Sequence, residues 1–264
     1  MKPKISLCAA AARPRFWKRF YDSLAGNKVE VEVIFVGPNR PDFELPANFV
    51  FAQSNVKPCQ AYSHAINIAR GELIGWTADD VIYNGPIAAC PNALDLIWEA
   101  YMRAKEEYGD NKTILSQVTI EDYGMRWNRQ RALNFWRSHH FFNGNMTTPM
   151  MAPIGFISKE FFNQLGGYDR SFVCGQSEND ICMRAYEVGG RVLGVEDSIV
   201  EIKHREAHMT DRYNFSKGYG QDRTFLQACW TENGKMVTKR RIPVQPFDQA
   251  TILGSNQGPS GRWR

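Results

Sequence analysis

Two adjacent carboxylates, Asp79 and Asp80, follow the apolar run 73–76 within the stretch GELIGWTADDVIY. The run predicts a buried strand, and the Gly-Pro pair a few residues later predicts a turn. Carboxylate oxygens suit divalent cations, and α/β sheets bind ligands at the carboxyl ends of their strands. The pair therefore predicts either a cation site or the cap of a turn or helix, a role that Asp often has.

A second acidic group, Ser-Glu-Asn-Asp at 177–180, precedes the predicted helix 180–188. Helix N-termini favour carboxylates because of the helix dipole and the free backbone N–H groups. Asp180 is accordingly a candidate helix cap. Glu178, in the loop before that helix, is a candidate general base that takes the proton of an incoming hydroxyl group.

Three further residues could contribute to the same site. His204 follows the predicted strand 199–203 and could give a nitrogen ligand to the cation, although an isolated histidine is more often a surface residue and His208 is a competitor. Lys57 and Gln60 lie where a helix is predicted to start, and helix N-termini bind anions such as phosphate.

The elements that carry these residues alternate between strand and helix, as parallel α/β proteins do. Apolar patterns predict strands at 5–12, 29–36, 49–52, 73–76, 113–120, 191–195 and 199–203. Helical spacing predicts helices at 14–25, 58–69, 88–108, 159–165 and 180–188. The pattern is irregular over 121–148, and periodicity is lost after 230. We therefore expect one domain over 1–230, with a donor-binding half at 1–118 and an acceptor-side half at 119–230, and a basic C-terminal arm over 231–264.

Composition excludes several classes of protein. The 264 residues are 43% hydrophobic, with a formal charge of +4 and a pI near 8.7, which is too weakly basic for a nucleic-acid binder. The six cysteines form no C-x-x-C pair, so no zinc ribbon or redox motif is indicated, and a reduced cytoplasmic compartment is expected. No apolar run reaches the length of about 18 residues that a membrane-spanning helix needs, so a soluble protein is expected.

Across about residues 4–208 the sequence resembles the inverting glycosyltransferases of family 2. The resemblance lies in ISLCAAAARPRFWKRFYDSL, VEVIFVGPN, AYSHAINIARGELIGWTADD and, above all, ISKEFFNQLGGYDRSFVCGQSENDICMRAYEVGGRV. The last block is similar to the family's helix, Gly-Gly-Phe-Asp, acidic pair and Asp-Leu-x-x-x-Arg. The resemblance implies the GT-A fold: a Rossmann-like, mostly parallel sheet flanked by helices. It also implies metal-dependent, inverting transfer of a sugar from a nucleotide-diphosphate donor to an acceptor hydroxyl group.

The resemblance also implies roles for individual residues. Asp80 matches the ligand of a Mn²⁺ or Mg²⁺ ion, with His204 completing the site and Asp79 beside it near the ribose or the metal. Glu178 matches the catalytic base, with Asp180 as the alternative if the acidic pair is aligned differently.

For the substrates, the resemblance implies a UDP-, GDP- or dTDP-sugar donor and an acceptor such as a glycan, a lipid-linked sugar or a protein. Gly37 and Asn39 stand where the family binds the nucleotide base, and Lys57 where it contacts the base or diphosphate. Trp136, in the irregular segment, is a candidate wall for the acceptor or, equally, part of a hydrophobic cluster under a long loop.

Two departures from the family pattern leave alternatives open. Ala78 replaces the first acid of the metal motif, and Gly37-Pro38-Asn39 replaces an acidic loop after the second strand. A transferase-like protein that binds without catalysis would accommodate both changes. A nucleotidyltransferase is a weaker alternative, because segment 8–15 lacks the Gly-rich phosphate loop that such enzymes usually carry.

Overall fold

A computed structural model describes residues 2–121, 151–203, 215–233 and 235–247. The strands are β1 (Ile5–Ala10), β2 (Val31–Gly37), β3 (Phe49–Gln53), β4 (Leu73–Ala78), β5 (Val81–Ile82), β6 (Thr113–Glu121), β7 (Gly155–Ser158), β8 (Arg191–Ile202), β9 (Thr231–Glu232) and β10 (Lys235–Met236). The helices are α1 (Trp17–Asp22), α2 (Pro58–Ile68), α3 (Ala93–Tyr108), α4 (Lys159–Gln164), α5 (Ser177–Glu187) and α6 (Phe215–Trp230), with a short 3₁₀ helix at Pro14–Phe16.

The first eight strands form one mixed sheet in the order β3-β2-β1-β4-β7-β6-β8-β5. The neighbours from β3 to β4 are parallel, as are β6 and β8, whereas β7 is antiparallel to both of its neighbours and β5 is antiparallel to β8. This arrangement confirms the predicted α/β class with a central sheet between helices. In the part of the chain described, no helix combines the length and the apolar character needed to cross a membrane.

The sheet is covered on both faces because alternate strand residues point to opposite sides. In β1, Leu7 packs in a core with α1 and α3, and its neighbour Cys8 packs in a second core with α2, α4, α5 and α6. Trp17 of α1 anchors the first core, with its ring centroid 5.3 Å from that of Phe35 and 5.9 Å from that of Phe49. Burial on both faces explains why the strands read as nearly continuous apolar runs.

Some predicted boundaries differ from the observed ones for local reasons. The helix predicted over 88–108 begins at Ala93, because Ala89 has a φ of 45°, which a right-handed helix cannot contain. The strands predicted at 191–195 and 199–203 are one strand, β8, with a bulge opposite Gln117 and Val118 of β6. Helix α6 lacks a predicted counterpart, and helix α5 begins three residues before its predicted start.

Within the predicted basic arm, the structure describes residues 231–233 and 235–247, and Arg240 in this part is buried against the domain. Only 4% of the Arg240 side chain is exposed. Its guanidinium donates to Asp180 Oδ1 at 2.9 Å and to Asp169 Oδ2 at 2.6 Å. Asp180 also accepts from Arg184 Nε at 2.8 Å, so two buried cations balance two buried carboxylates. Burying a charged group is costly unless an opposite charge or hydrogen bonds compensate for the loss of water.

Replacing Arg240 by Met is expected to lower the free energy of unfolding by about 3–5 kcal/mol, the usual cost of leaving a buried charge without its partner. Asp169 would lose its pairing cation, and Asp180 one of two. Urea denaturation measures the change, with the exposed neighbour Lys239→Met as the matched control. A loss similar to that of the control would contradict the structural role of Arg240.

Candidate active site

The first part of the site lies at the carboxyl ends of β1 and β4. These strands are parallel neighbours with Ala10 opposite Ala78, so the residues that follow them meet at one edge of the sheet. Asp79 is 1% exposed and accepts hydrogen bonds from the backbone N–H and from Nε of Arg13, both at 2.9 Å. Burial raises the pKa of Asp79, and the Arg13 guanidinium opposes that rise. The loop after β1 and the acid pair are thus fixed to each other.

Asp80 lies beside Arg13 and Asp79 and also contacts the end of β8. Its Oδ1 is 3.4 Å from Nη2 of Arg13, and the side chain is 2% exposed. Its backbone carbonyl accepts from the N–H of Lys203 at 3.0 Å, which continues the pairing of β5 with β8. The end of β8 therefore lies next to Asp80. The next residue, His204, falls outside the described residues, and so does Trp136.

Glu178 occupies the first turn of α5. The helix starts after Gln176, whose φ of 64° turns the chain into the helix and leaves Glu178 partly buried. Burial raises the pKa of Glu178 from 4.5 to about 7. A carboxylate with that pKa exchanges its proton near neutral pH, which is the property required of a general base.

Tyr62 of α2 links the two acidic groups. Its hydroxyl group donates to the carbonyl of Thr77, two residues before the acid pair. Burial raises the pKa of Tyr62, and the negative charges of Glu178, Asp80 and Asp79 raise it further. The acid pair after β4 and the acid of α5 therefore lie near the same tyrosine, although they are about 100 positions apart in the sequence. The sequence analysis gave Tyr62 no role.

The second candidate base, Asp180, has both oxygens engaged and is fully buried. Oδ2 accepts from Arg184, and Oδ1 accepts from Arg240 and from Nε1 of Trp230 at 2.9 Å. These contacts fasten α5 to α6 and to the C-terminal segment. The geometry therefore favours Glu178 over Asp180 for chemistry with a substrate.

The residues expected near the nucleotide base lie just beyond β2. A Cβ on Gly37 would lie 1.7 Å from the carbonyl oxygen of Ala11, so the close approach of β1 requires glycine there. Asn39 is exposed and donates through Nδ2 to the carbonyl of Ala12 at 2.7 Å. Packing alone therefore explains the glycine at position 37, without any contact to a ligand.

The residues expected near the diphosphate lie at the start of α2. Lys57 is the N-cap of this helix and is partly exposed. Burial raises the pKa of the nearby Asp222, and the positive charge of Lys57 is among the contacts that oppose this rise. Gln60 is 1% exposed, so its side chain is part of the packed interior of α2. Of the two, Lys57 is the one accessible to a ligand.

The described residues fit a divalent cation whose remaining ligands come from the substrate. Within 2–121, 151–203, 215–233 and 235–247, no group of three His, Cys, Asp or Glu side chains forms a closed metal cage. Mg²⁺ is usually bound by one or two carboxylates together with substrate phosphates, and Mn²⁺ takes similar oxygen ligands. With Asp79 held by Arg13, Asp80 is the carboxylate that such a cation would use.

Arg13 itself was missed by sequence reasoning. The available signal was a basic residue just after β1, because adjacent parallel strands bring such a residue next to the acids that follow β4. Its guanidinium contacts both carboxylates of the pair and therefore offsets their charge.

Replacing Arg13 by Gln is expected to increase the affinity for Mn²⁺ in the absence of nucleotide by about tenfold, because a competing positive charge is removed from the acid pair. Calorimetric Mn²⁺ titration measures the change. Arg15→Gln, which removes the same charge from an exposed position two residues away, is the control. Equal Mn²⁺ affinity in the two variants would contradict the competition.

A cleft of about 1040 Å³ lies at the opposite edge of the sheet. It is lined by the residues that directly precede β4 and by side chains of mixed charge, among them Arg70, Glu72 and Lys159. Ligands of α/β sheets bind at the carboxyl ends of the strands, so this cleft is a weaker candidate than the edge with Asp79 and Asp80.

The sheet order and the flanking helices define a GT-A-like fold, the fold of nucleotide-diphospho-sugar transferases. S. aureus TarS, residues 1–349, is similar over 85% of this chain and 71% of its own, with 13% identity and a TM-score of 0.54. The structure of the same TarS region in complex with UDP gives 13% identity and a TM-score of 0.54 over 87% of this chain and 72% of that chain. The mannosyltransferase PcManGT from Pyrobaculum calidifontis, in complex with GDP-Man and Mn²⁺, matches 76% of this chain and 57% of its own, with 15% identity and a TM-score of 0.50. No protein-family model and no curated protein sequence matches the chain.

Proposed function

We propose that this protein is a metal-assisted, inverting glycosyltransferase that moves a sugar from a nucleotide-diphosphate donor to an acceptor hydroxyl group. The observation that carries the proposal is the position of Glu178. The pKa of Glu178 is raised to about 7. Its negative charge, like those of Asp79 and Asp80, raises the pKa of Tyr62, so all three acids lie near this tyrosine at the sheet edge where a GT-A-like fold binds ligands.

On the donor side, the acid pair and Lys57 flank the carboxyl edge of the sheet. We assign the nucleotide to the edge formed by β1, β2 and β4, with Asn39 beside the base and Lys57 beside the diphosphate. Two structures of similar fold support this class of donor, because TarS is described in complex with UDP and PcManGT in complex with GDP-Man. The choice among UDP-, GDP- and dTDP-sugars depends on contacts that the fold does not specify.

In the chemical step, Glu178 is the general base. Its carboxylate takes the proton of the acceptor hydroxyl group as that oxygen attacks the anomeric carbon from the face opposite the leaving diphosphate. One displacement forms the new glycosidic bond, breaks the bond to the diphosphate and inverts the anomeric centre. The acceptor is a hydroxyl group of a glycan, a lipid-linked sugar or a protein.

A divalent cation, Mn²⁺ or Mg²⁺, would be held by Asp80 and His204 and would supply electrostatic stabilisation of the charge that develops on the leaving diphosphate. The contact of Lys203 with Asp80 supports this ligand pair, because Lys203 directly precedes His204 in the sequence. Mn²⁺ in the PcManGT complex supports the class of metal.

A second candidate function, nucleotide-sugar binding without transfer, is favoured by two observations. The guanidinium of Arg13 offsets the charge of the acid pair, and the loop after β2 lacks the usual acids. Such a protein would bind nucleotide and show no turnover.

Incubation with UDP-, GDP- and dTDP-sugars and Mn²⁺ distinguishes these functions. A transferase is expected to hydrolyse its own donor slowly in the absence of acceptor and to be stabilised against heat by that donor. Stabilisation without hydrolysis or transfer would favour the binding protein. A protein that neither responds to nor consumes any sugar nucleotide would overturn the proposal.

A further inference from the structure

The loop that leads into α5 is held by one carboxylate of another helix. Asp222 of α6 accepts hydrogen bonds from three consecutive backbone N–H groups: Val173 at 2.9 Å, Cys174 at 2.6 Å and Gly175 at 2.9 Å. Consecutive N–H groups of this kind form a concavity that binds anions, and here a side chain of the same protein fills it. Asp222 is 1% exposed, so water cannot readily replace it.

The same loop is tethered from its other side by α2. The carbonyl of Val173 accepts from the N–H of Cys59 at 3.2 Å, and Cys59 Sγ lies 3.5 Å from Oγ of Ser177. The loop between these tethers ends at Gln176, two residues before Glu178. The direction in which Glu178 leaves the helix start is thus set by contacts of the loop.

We propose that Asp222 is a positioning residue for Glu178: by fixing residues 173–175 it holds the base in the orientation that meets the acceptor hydroxyl group. This inference rests on the proposed transferase function. It predicts a larger defect in the chemical step than in donor binding, because Asp222 holds the loop before Glu178, whereas Asp79 accepts from Arg13 and the Asp80 carbonyl accepts from Lys203.

Asp222 also acts on Glu178 through its charge. Its negative charge contributes to the raised pKa of Glu178, after the larger contribution from burial. Among the described residues, the titratable groups that face Glu178 include Asp222 of α6, Tyr62 and Cys59 of α2, Tyr168, and Cys182 of α5. Lys57 and Cys174 face Asp222. Removing the charge of Asp222 should therefore shift the titration of Glu178 to lower pH.

The test uses Asp222→Asn, which has the same shape but can no longer accept all three hydrogen bonds. Relative to the native protein, kcat with the active sugar nucleotide and Mn²⁺ is expected to fall by about 10- to 100-fold. The change in the donor KM should be smaller than this, although Lys57 faces Asp222. The acid limb of the kcat profile should move below pH 7. Asp197→Asn, at the exposed bulge of β8, removes the same charge and is expected to leave kcat and the pH profile unchanged.

Asp222→Glu separates the two effects. It keeps the charge but displaces the carboxylate, so kcat should fall while the acid limb stays near pH 7. Native kcat in both variants would overturn the proposal. Failure of both variants to fold would also overturn it, since Asp222 would then serve global stability and not the placement of Glu178.

Two measurements need no turnover and therefore separate this proposal from the proposed function. Hydrogen exchange at the amides of 173–175 is expected to accelerate in Asp222→Asn. The ¹³C carboxyl titration of Glu178, identified by its loss in Glu178→Gln, should shift to lower pH. If the native protein is inactive with every donor while both changes occur, the transferase function fails and the positioning contact stands. Unchanged exchange together with an unchanged titration overturns the positioning contact, whatever the activity.

Discussion

Glu178→Gln is expected to lower the rate of sugar transfer by about 10²- to 10⁴-fold, the usual effect of removing a general base, and to leave the affinity for the donor unchanged. Glutamine preserves the size of the side chain and removes its ability to accept a proton. The donor site should be intact because Asp79 and Asp80 are held by Arg13 and by the end of β8, not by α5. Stopped assays with the sugar nucleotide and calorimetry with the nucleotide and Mn²⁺ measure the two quantities separately.

The pH dependence gives an independent check of the same residue. A base must be ionised, so kcat/KM of the native protein is expected to rise with pH and to reach half of its maximum near pH 7, where Glu178 titrates. In Glu178→Gln this limb should disappear from the residual activity. Glu99→Gln, on the exposed side of α3, is the matched control and should keep the native profile. Full activity of Glu178→Gln would transfer the role of base to Asp180.

The stability of the protein should change in the opposite sense to its activity. The folded state raises the pKa of Glu178 above the ordinary 4.5, so it binds a proton more tightly than the unfolded chain does. Unfolding free energy is therefore lost as pH rises from about 4.5 to about 7. Glu178→Gln removes this loss and is expected to be more stable than the native protein at pH 8. The difference in unfolding free energy is at most about 3 kcal/mol, and screening of the partly exposed carboxylate by solvent makes it smaller.

Sequence patterns predicted the strands β1, β2 and β4 well because nearly all of their residues are buried and each strand reads as an apolar run. The same patterns located Asp79 and Asp80 at a strand end, which the structure places at the carboxyl edge beside β1. The boundaries of α3 and β8 were less predictable. A single residue with positive φ at Ala89 delays the helix, and a bulge joins two apparent strands, and neither feature has a periodic signature.

The pairings of polar side chains were beyond the reach of the sequence. Arg13, Asp222 and Arg240 are ordinary charged residues in the sequence, and each one's role depends on a partner at least 40 positions away. Local propensity favours a solvated surface for such residues, whereas tertiary contacts bury them against carboxylates or backbone N–H groups. Arg240 is the clearest case, because a basic, turn-rich segment concealed a cation that two buried aspartates require.

Asp80→Asn is expected to weaken Mn²⁺-dependent nucleotide binding by at least about 100-fold, about 2.7 kcal/mol, while the fold is preserved. The substitution keeps the shape of the side chain and removes the negative charge that a hard cation requires. The neighbouring Arg13 would retain its main partner, Asp79, so the edge of the sheet should stay in place. Calorimetry with UDP, GDP and dTDP, each with and without Mn²⁺, measures the metal-dependent part, and thermal unfolding checks the fold.

The exposed Asp22→Asn is the control for the loss of one carboxylate, since its partner Lys18 is also on the surface. Unchanged Mn²⁺-dependent binding in Asp80→Asn would remove the metal from the proposed site. Together with Glu178→Gln the variant separates binding from chemistry. If the acid pair serves the donor and Glu178 serves the acceptor, Asp80→Asn loses nucleotide and Glu178→Gln retains it, although neither transfers sugar. A protein that only binds would lose nucleotide with Asp80→Asn in the same way, and its native form would have no turnover for Glu178→Gln to remove.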